Sequence, residues 1–270
     1  MTLIACARMY NVTETARRAW ADLFAWVAET SGIALTAIDH PAPAPLEELW
    51  ERADLGCAFM CGWPFSRARP QPLALAAPVP LGARYRGQPL YFTDFIARRD
   101  RGYRDLAETF GGRIAWTVAT SHSGFNAPRH HLLAYRSAGR PRLYSESLGP
   151  AVTPAQCLAW VTDGRVDVAP MDSFALDLIA RHAPERVAEI AVIESTAAAP
   201  IPPLVAAPGM DPECRAALRQ ALLASGDAPE LAKVRADLGL QGFAAVAADD
   251  YGLAELWDRE ARTAGYPRPE

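Results

Sequence analysis

Residues 113–133, RIAWTVATSHSGFNAPRHHLL, gather the side chains of this chain best suited to hold an anion. Ser121, His122 and Ser123 place three hydrogen-bonding groups in consecutive positions, and Gly124 lets a backbone come close to a ligand. Alternation of Ile114, Trp116 and Val118 predicts a strand ahead of them, and the serines are helix-capping residues, so the turn should open a helix from Gly124. No acid falls between Arg113 and Leu133. Free N–H groups and the dipole at that helix start would favour negative charge, by roughly 0.3–1 kcal/mol from the dipole alone when exposed. A plain serine-capped helix accounts for the same residues, so the neighbouring segments have to decide.

A second candidate is Asp172, which follows the apolar run VDVAPM and precedes FALDLIA. It suits the N-cap of that helix, worth about 1 kcal/mol, and its carboxylate would also face a cationic or hydroxyl group of a ligand. A counter-charge beside an anion-friendly turn points to a zwitterion. Tyr10 and Trp63 fall just after strand-like segments; exposed at strand tips they would wall a pocket, and packed inward they would be core.

Other chemistry finds little support. No glycine-rich nucleotide loop and no GxSxG elbow occurs, and the adjacency of Ser121 and His122 is not a nucleophile–base arrangement. His130 and His131 diverge by about 100° on a helix, which suits surface or packing roles rather than a shared metal. The five cysteines are scattered and odd in number; Cys57 and Cys61 lack further ligands nearby and fit buried thiols. No catalytic residue, metal site or cofactor is expected.

The elements that must position these residues alternate in type. Strands are expected over 3–9, 33–38, 55–60, 73–79, 88–97, 142–145, 166–171, 190–195 and 204–206. Helices are expected over 16–30, 46–53, 105–110, 153–163, 173–182, 211–224, 230–238 and 251–264. This is an α/β pattern of βαβ units with mostly parallel sheets. Tyr10, Trp63, the 120–123 turn and Asp172 all fall after strand ends, the edge where open α/β sheets bind ligands. Net charge −4 argues against general attraction to nucleic acid or anionic membrane. No segment is apolar for long enough to span a bilayer. Residues 1–7 do not read as a secretory leader, so a periplasmic location is expected if a leader has been removed and a cytoplasmic one otherwise.

With these residues in hand, the chain resembles the phosphate/phosphite/phosphonate-binding (PhnD-like) substrate-binding subunits of ABC transporters over nearly its whole length. The blocks that carry the resemblance are DLGCAFMCGWPF (54–65), LAAPVP (75–80), GGRIAWTVATSHSGFNAPR (111–129) and VTDGRVDVAPMDSFAL (161–176). The resemblance implies a type 2 periplasmic-binding-protein fold, two α/β lobes joined by two crossing strands with the ligand in the cleft. It implies that Ser121, His122 and Ser123 supply an oxyanion loop, Asp172 the opposite wall, and Tyr10 and Trp63 the first lobe's contribution. Two departures distinguish this chain: His122 stands where family members carry threonine, and Thr153-Pro154 where they carry a Ser-His pair.

The extended segments 88–97 and 190–204 place the lobe boundaries, giving 1–85 with 195–270 as one lobe and 86–194 as the other. The expected function is capture of a small anionic or zwitterionic molecule by lobe closure, for import through an ABC permease, by a monomer. The alternative is an intracellular enzyme or small-molecule sensor on the same fold; an enzyme would need a base or nucleophile, for which the sequence offers His122 and the cysteines. A bound dianion would raise the pKa of His122 and make it cationic, whereas burial would lower it.

Overall fold

The computed structural model describes residues 2–270. The chain runs through β1 (Leu3–Cys6), α1 (Glu14–Ser31), β2 (Leu35–Ala37), α2 (Leu46–Trp50), β3 (Leu55–Phe59), α3 (Gly62–Arg67) and β4 (Leu73–Pro80). It continues with β5 (Leu90–Tyr91), β6 (Thr93–Arg98), β7 (Arg113–Ala115), α4 (Ala127–Leu132), β8 (Glu146–Leu148), α5 (Pro154–Thr162), β9 (Ala169–Asp172) and α6 (Ser173–His182). It ends with β10 (Ile190–Ser195), β11 (Ala199–Pro200), β12 (Leu204–Ala206), α7 (Pro212–Ala224), α8 (Ala232–Leu238), β13 (Leu240–Ala244) and α9 (Gly252–Thr263).

Local chemistry sets these limits. At the start of α1, Thr13 Oγ1 accepts from the Ala16 N–H at 3.2 Å, and Gly32 at φ 70° closes the helix in the left-handed conformation that glycine adopts without strain. Between them Ala16, Trp20, Leu23, Phe24 and Val27 form the buried stripe. Asp211 caps α7 in the same manner, accepting from Glu213 and Cys214 at 3.0 Å.

The chain divides into two units, one comprising residues to Leu90 together with Pro200–Tyr251, the other Tyr91–Ala199 together with Gly252–Glu270. The first unit is built on a six-stranded sheet in the order β13-β4-β12-β3-β1-β2. Its β1 pairs in parallel with β2 and β3, joined by helical crossovers, while β12 pairs antiparallel with β3 and β4, and β13 antiparallel with β4. In the second unit the sheet β10-β6-β9 is antiparallel, and β7 and β8 form a parallel pair. The α/β class holds, but the sheets are mixed rather than mostly parallel. The parallel strand pairs are β1 with β2, β1 with β3, and β7 with β8.

Residues 252–270 also depart from the expected first lobe: they pack on the second unit. Helix α9 buries Ala254, Trp257, Asp258 and Ala261, and Tyr266 joins a cluster with Phe95, Leu106, Ile114 and Leu132. An amphipathic helix carries no sign of which core it will cover. Among the described residues no helix is long and apolar enough to cross a membrane.

Candidate functional site

The serine turn belongs to the second unit. Strand β7 ends at Ala115, earlier than the 114–118 alternation suggests, and the chain reaches a π-helical turn over His122–Asn126 that feeds α4. Ser121 caps it, its Oγ accepting from the Gly124 N–H at 2.9 Å, while the Asn126 N–H donates to the Ser121 carbonyl at 3.0 Å. Gly124 lies close to Thr117 and has no room for a side chain: a Cβ there would stand 1.8 Å from Thr117 Oγ1, and the Thr117 N–H donates to the Gly124 carbonyl at 3.1 Å. Ser121 and Ser123 keep partial exposure, whereas His122 is buried at 2%.

Asp172 ends β9. Its Oδ1 accepts from the Phe174 and Ala175 N–H groups at 2.9 and 3.0 Å, so the capping role is fulfilled. Thr93, the first residue of β6, joins it to the turn: Thr93 pairs in register with Asp172, and its Oγ1 donates to the Ser123 carbonyl at 3.0 Å. Thr93 is held in turn by Thr196, whose Oγ1 accepts from the Thr93 N–H at 3.1 Å and whose N–H donates to the Thr93 carbonyl at 2.9 Å. The structure thus brings Ser121, His122, Ser123 and Asp172 around one strand start within one unit.

For His122 the burial alternative holds. Its ring stacks on Trp257 at 5.3 Å and 17°, and its Nδ1 lies 3.2 Å from Asn126 Nδ2. Burial, with a smaller contribution from His130, pushes its pKa down to about 3. The imidazole is therefore neutral at physiological pH.

Tyr10 and Trp63 lie in the first unit at the ends of β1 and β3, and both are buried rather than exposed at strand tips. Tyr10 stands edge-on to Phe59 at 4.8 Å in the aromatic core that includes Trp20. Trp63 lies in the first turn of α3 with the Arg67 guanidinium 5.1 Å over its ring. The reason is local: a 3-10 turn over Arg8–Tyr10 turns the Tyr10 ring onto Phe59, and α3 starts at Gly62, directly before Trp63.

His130 Nε2 lies 2.7 Å from Glu260 and His131 Nε2 2.5 Å from Glu194, so the adjacent histidines serve two separate partners. The cysteines are thiols rather than disulfides, and burial pushes the Cys57 and Cys157 thiols up, away from the reactive thiolate. Among the described residues no group of three or more His, Cys, Asp or Glu side chains is placed to hold a metal ion. Sequence reasoning missed Thr93, Arg129 and Trp257. Thr93 stands in no motif, and Trp257 lies far along the chain from the turn it packs on.

A family model described as ABC transporter, phosphonate, periplasmic substrate-binding protein matches residues 10–251. No curated protein matches the chain. Among solved structures, the binding protein component of an ABC phosphonate transporter from Pseudomonas aeruginosa is 18% identical with TM-score 0.79, covering 98% of this chain and 89% of that one. PhnD1 from Prochlorococcus marinus in complex with methylphosphonate is 13% identical with TM-score 0.77, covering 97% and 98%. A Xanthomonas citri protein bound to ATP is 17% identical with TM-score 0.64, covering 98% of each chain. At these identities the likenesses establish the fold, the two-lobed one of periplasmic binding proteins.

Proposed function

Because the chain belongs to the family of periplasmic substrate-binding proteins of phosphonate ABC transporters, we propose that it captures a small anionic or zwitterionic ligand of the phosphate or phosphonate class and delivers it, as a monomer in the periplasm, to a membrane permease. The observation that carries the reading is the Thr93 junction, which sets the Ser121–Ser123 turn beside Asp172. The turn offers hydroxyls and a helix start without an acid, suited to the oxygens of an anionic group. Asp172 supplies negative charge suited to an amine or hydroxyl on the same ligand. Tyr10 and Trp63 contribute by shaping the strand ends of the first unit.

His122 takes part as a neutral imidazole, so attraction of the anion rests on hydrogen bonds rather than on a full positive charge from this residue. Binding, and not turnover, is the working event in this reading. Titration calorimetry with methylphosphonate, inorganic phosphate, phosphite and 2-aminoethylphosphonate tests it. Saturable binding of at least one, weakened about ten- to a hundred-fold in Ser123→Ala, is the expected result, since a hydrogen bond to a charged ligand is worth roughly 1.5–3 kcal/mol. Absence of binding across the series, or equal affinity in the variant, would overturn it.

A further inference from the structure

We propose that the C-terminal helix α9 locks the tautomer of His122 through the buried chain Asp258–Arg129–Asn126–His122, so that the serine turn carries a neutral imidazole with its proton on Nε2. The assignment follows from donors and acceptors. Arg129 is 2% exposed, and its Nη2 donates both to Asp258 Oδ1 and, at 2.9 Å, to Asn126 Oδ1. A guanidinium can only donate, so that end of the Asn126 amide is the oxygen. The Ala254 carbonyl, 2.8 Å from the other end, can only accept, so that end is the nitrogen. The amide of Asn126, fully buried, is therefore fixed in one orientation by two independent partners. Its nitrogen also faces His122 Nδ1 at 3.2 Å, and a donor there requires Nδ1 to accept. The proton of the neutral ring is left on Nε2.

The same geometry resists protonation, because a second proton would set an Nδ1–H against the amide N–H. The surroundings agree. His130, itself paired with Glu260, stacks on the Trp257 ring at 4.9 Å and 4°, and Trp257 also stacks on His122. Tyr91 lies 6.3 Å from the His122 ring, and Arg262 shares Asp258 with Arg129. Every member of the lock on α9 lies beyond residue 251, where the family match ends. Arg129, Asp258 and Trp257 are positioning residues: they act on the turn through His122.

The consequence for recognition rests on the proposed ligand reading. A locked Nε2–H form gives the turn one imidazole state across the physiological range, so affinity for a ligand of constant charge should not change with His122 protonation. The lock itself is tested without ligand, by long-range nitrogen–proton NMR on the full chain with labelled histidine, His122 being assigned by its loss in His122→Gln. The expected spectrum is the Nε2–H tautomer, neutral down to about pH 5, in the wild type. In Asn126→Asp, whose carboxylate can only accept, the proton should move to Nδ1 and the pKa should rise. An Nδ1–H or cationic ring in the wild type at neutral pH overturns the lock, as does an unchanged tautomer in a folded Asn126→Asp. The wild-type spectrum decides even if that variant fails to fold. Methylphosphonate calorimetry on the same samples separates the two ideas: no binding with an Nε2–H spectrum sinks the ligand reading and leaves the lock standing.

Discussion

Acidification should destabilise the fold through His122 by an amount that its burial sets. In the folded chain its pKa is pushed down to about 3, first by burial and then by His130, while the unfolded chain returns it to about 6.5. Between those values the unfolded state holds a proton that the native state lacks. The stability tied to neutral His122 is thus fully present above the unfolded value and is lost as pH falls toward the folded one. Relative to about pH 7.5, linkage gives a loss of about 1.4 kcal/mol at about pH 5.5 and about 2 kcal/mol at about pH 5. His122→Gln removes this titration and retains a polar side chain. The other histidines, His40, His130, His131 and His182, are common to both proteins. The difference between two series of urea unfolding curves measured across pH therefore isolates His122. The wild type should lose more stability on acidification than the variant, by the stated amounts. Parallel pH profiles would refute the argument that the ring is held neutral by burial.

Three further outcomes follow from the geometry. Gly124→Ala would drive a Cβ to 1.8 Å from Thr117 Oγ1 and should cost about 1–3 kcal/mol in chemical denaturation, part of it recovered by adding Thr117→Gly. Asp172→Ala removes the cap of α6 and should cost about 1 kcal/mol, whereas Asp172→Asn should keep most of that stability; calorimetry with 2-aminoethylphosphonate on the Asn variant then reads the carboxylate's contribution to binding separately. Arg129→Met leaves Asp258 to Arg262 alone and strips the donor from Asn126 Oδ1. A loss of about 3 kcal/mol is expected in urea unfolding, the low end for breaking a buried pair because Arg262 remains.

The sequence showed the alternation of elements wherever caps and apolar periodicity agreed. Helix α6 and strands β10 and β12 fall where the pattern put them, and α7 starts one residue inside, after its Asp211 cap. Strand β13 was not anticipated: LQGFA lacks a long apolar run, and it pairs only because β4 offers it an edge. The π-helical turn at His122 was also out of reach, since the close packing of Gly124 and Thr117 is a contact between loop and helix start. The turn and Asp172 were legible as neighbours of strand ends, but Thr93, which joins them, was not. A threonine hydroxyl gains meaning only from the carbonyl it finds. The burial of Tyr10, Trp63 and His122 was equally hidden, because side-chain direction at a strand end depends on the turn that follows it. That α9 covers the second unit depends on Trp257 and Asp258 meeting His122 and Arg129, pairings more than a hundred residues apart in the chain.

Native mass spectrometry of the protein, purified from its own host without denaturation and compared before and after exhaustive dialysis, tests the central claim most directly. The account predicts a one-to-one complex with a small anionic or zwitterionic molecule, lost on dialysis and restored when that molecule is added back. A protein that carries no such molecule and stays ligand-free when phosphate, phosphite, methylphosphonate and 2-aminoethylphosphonate are supplied would contradict it.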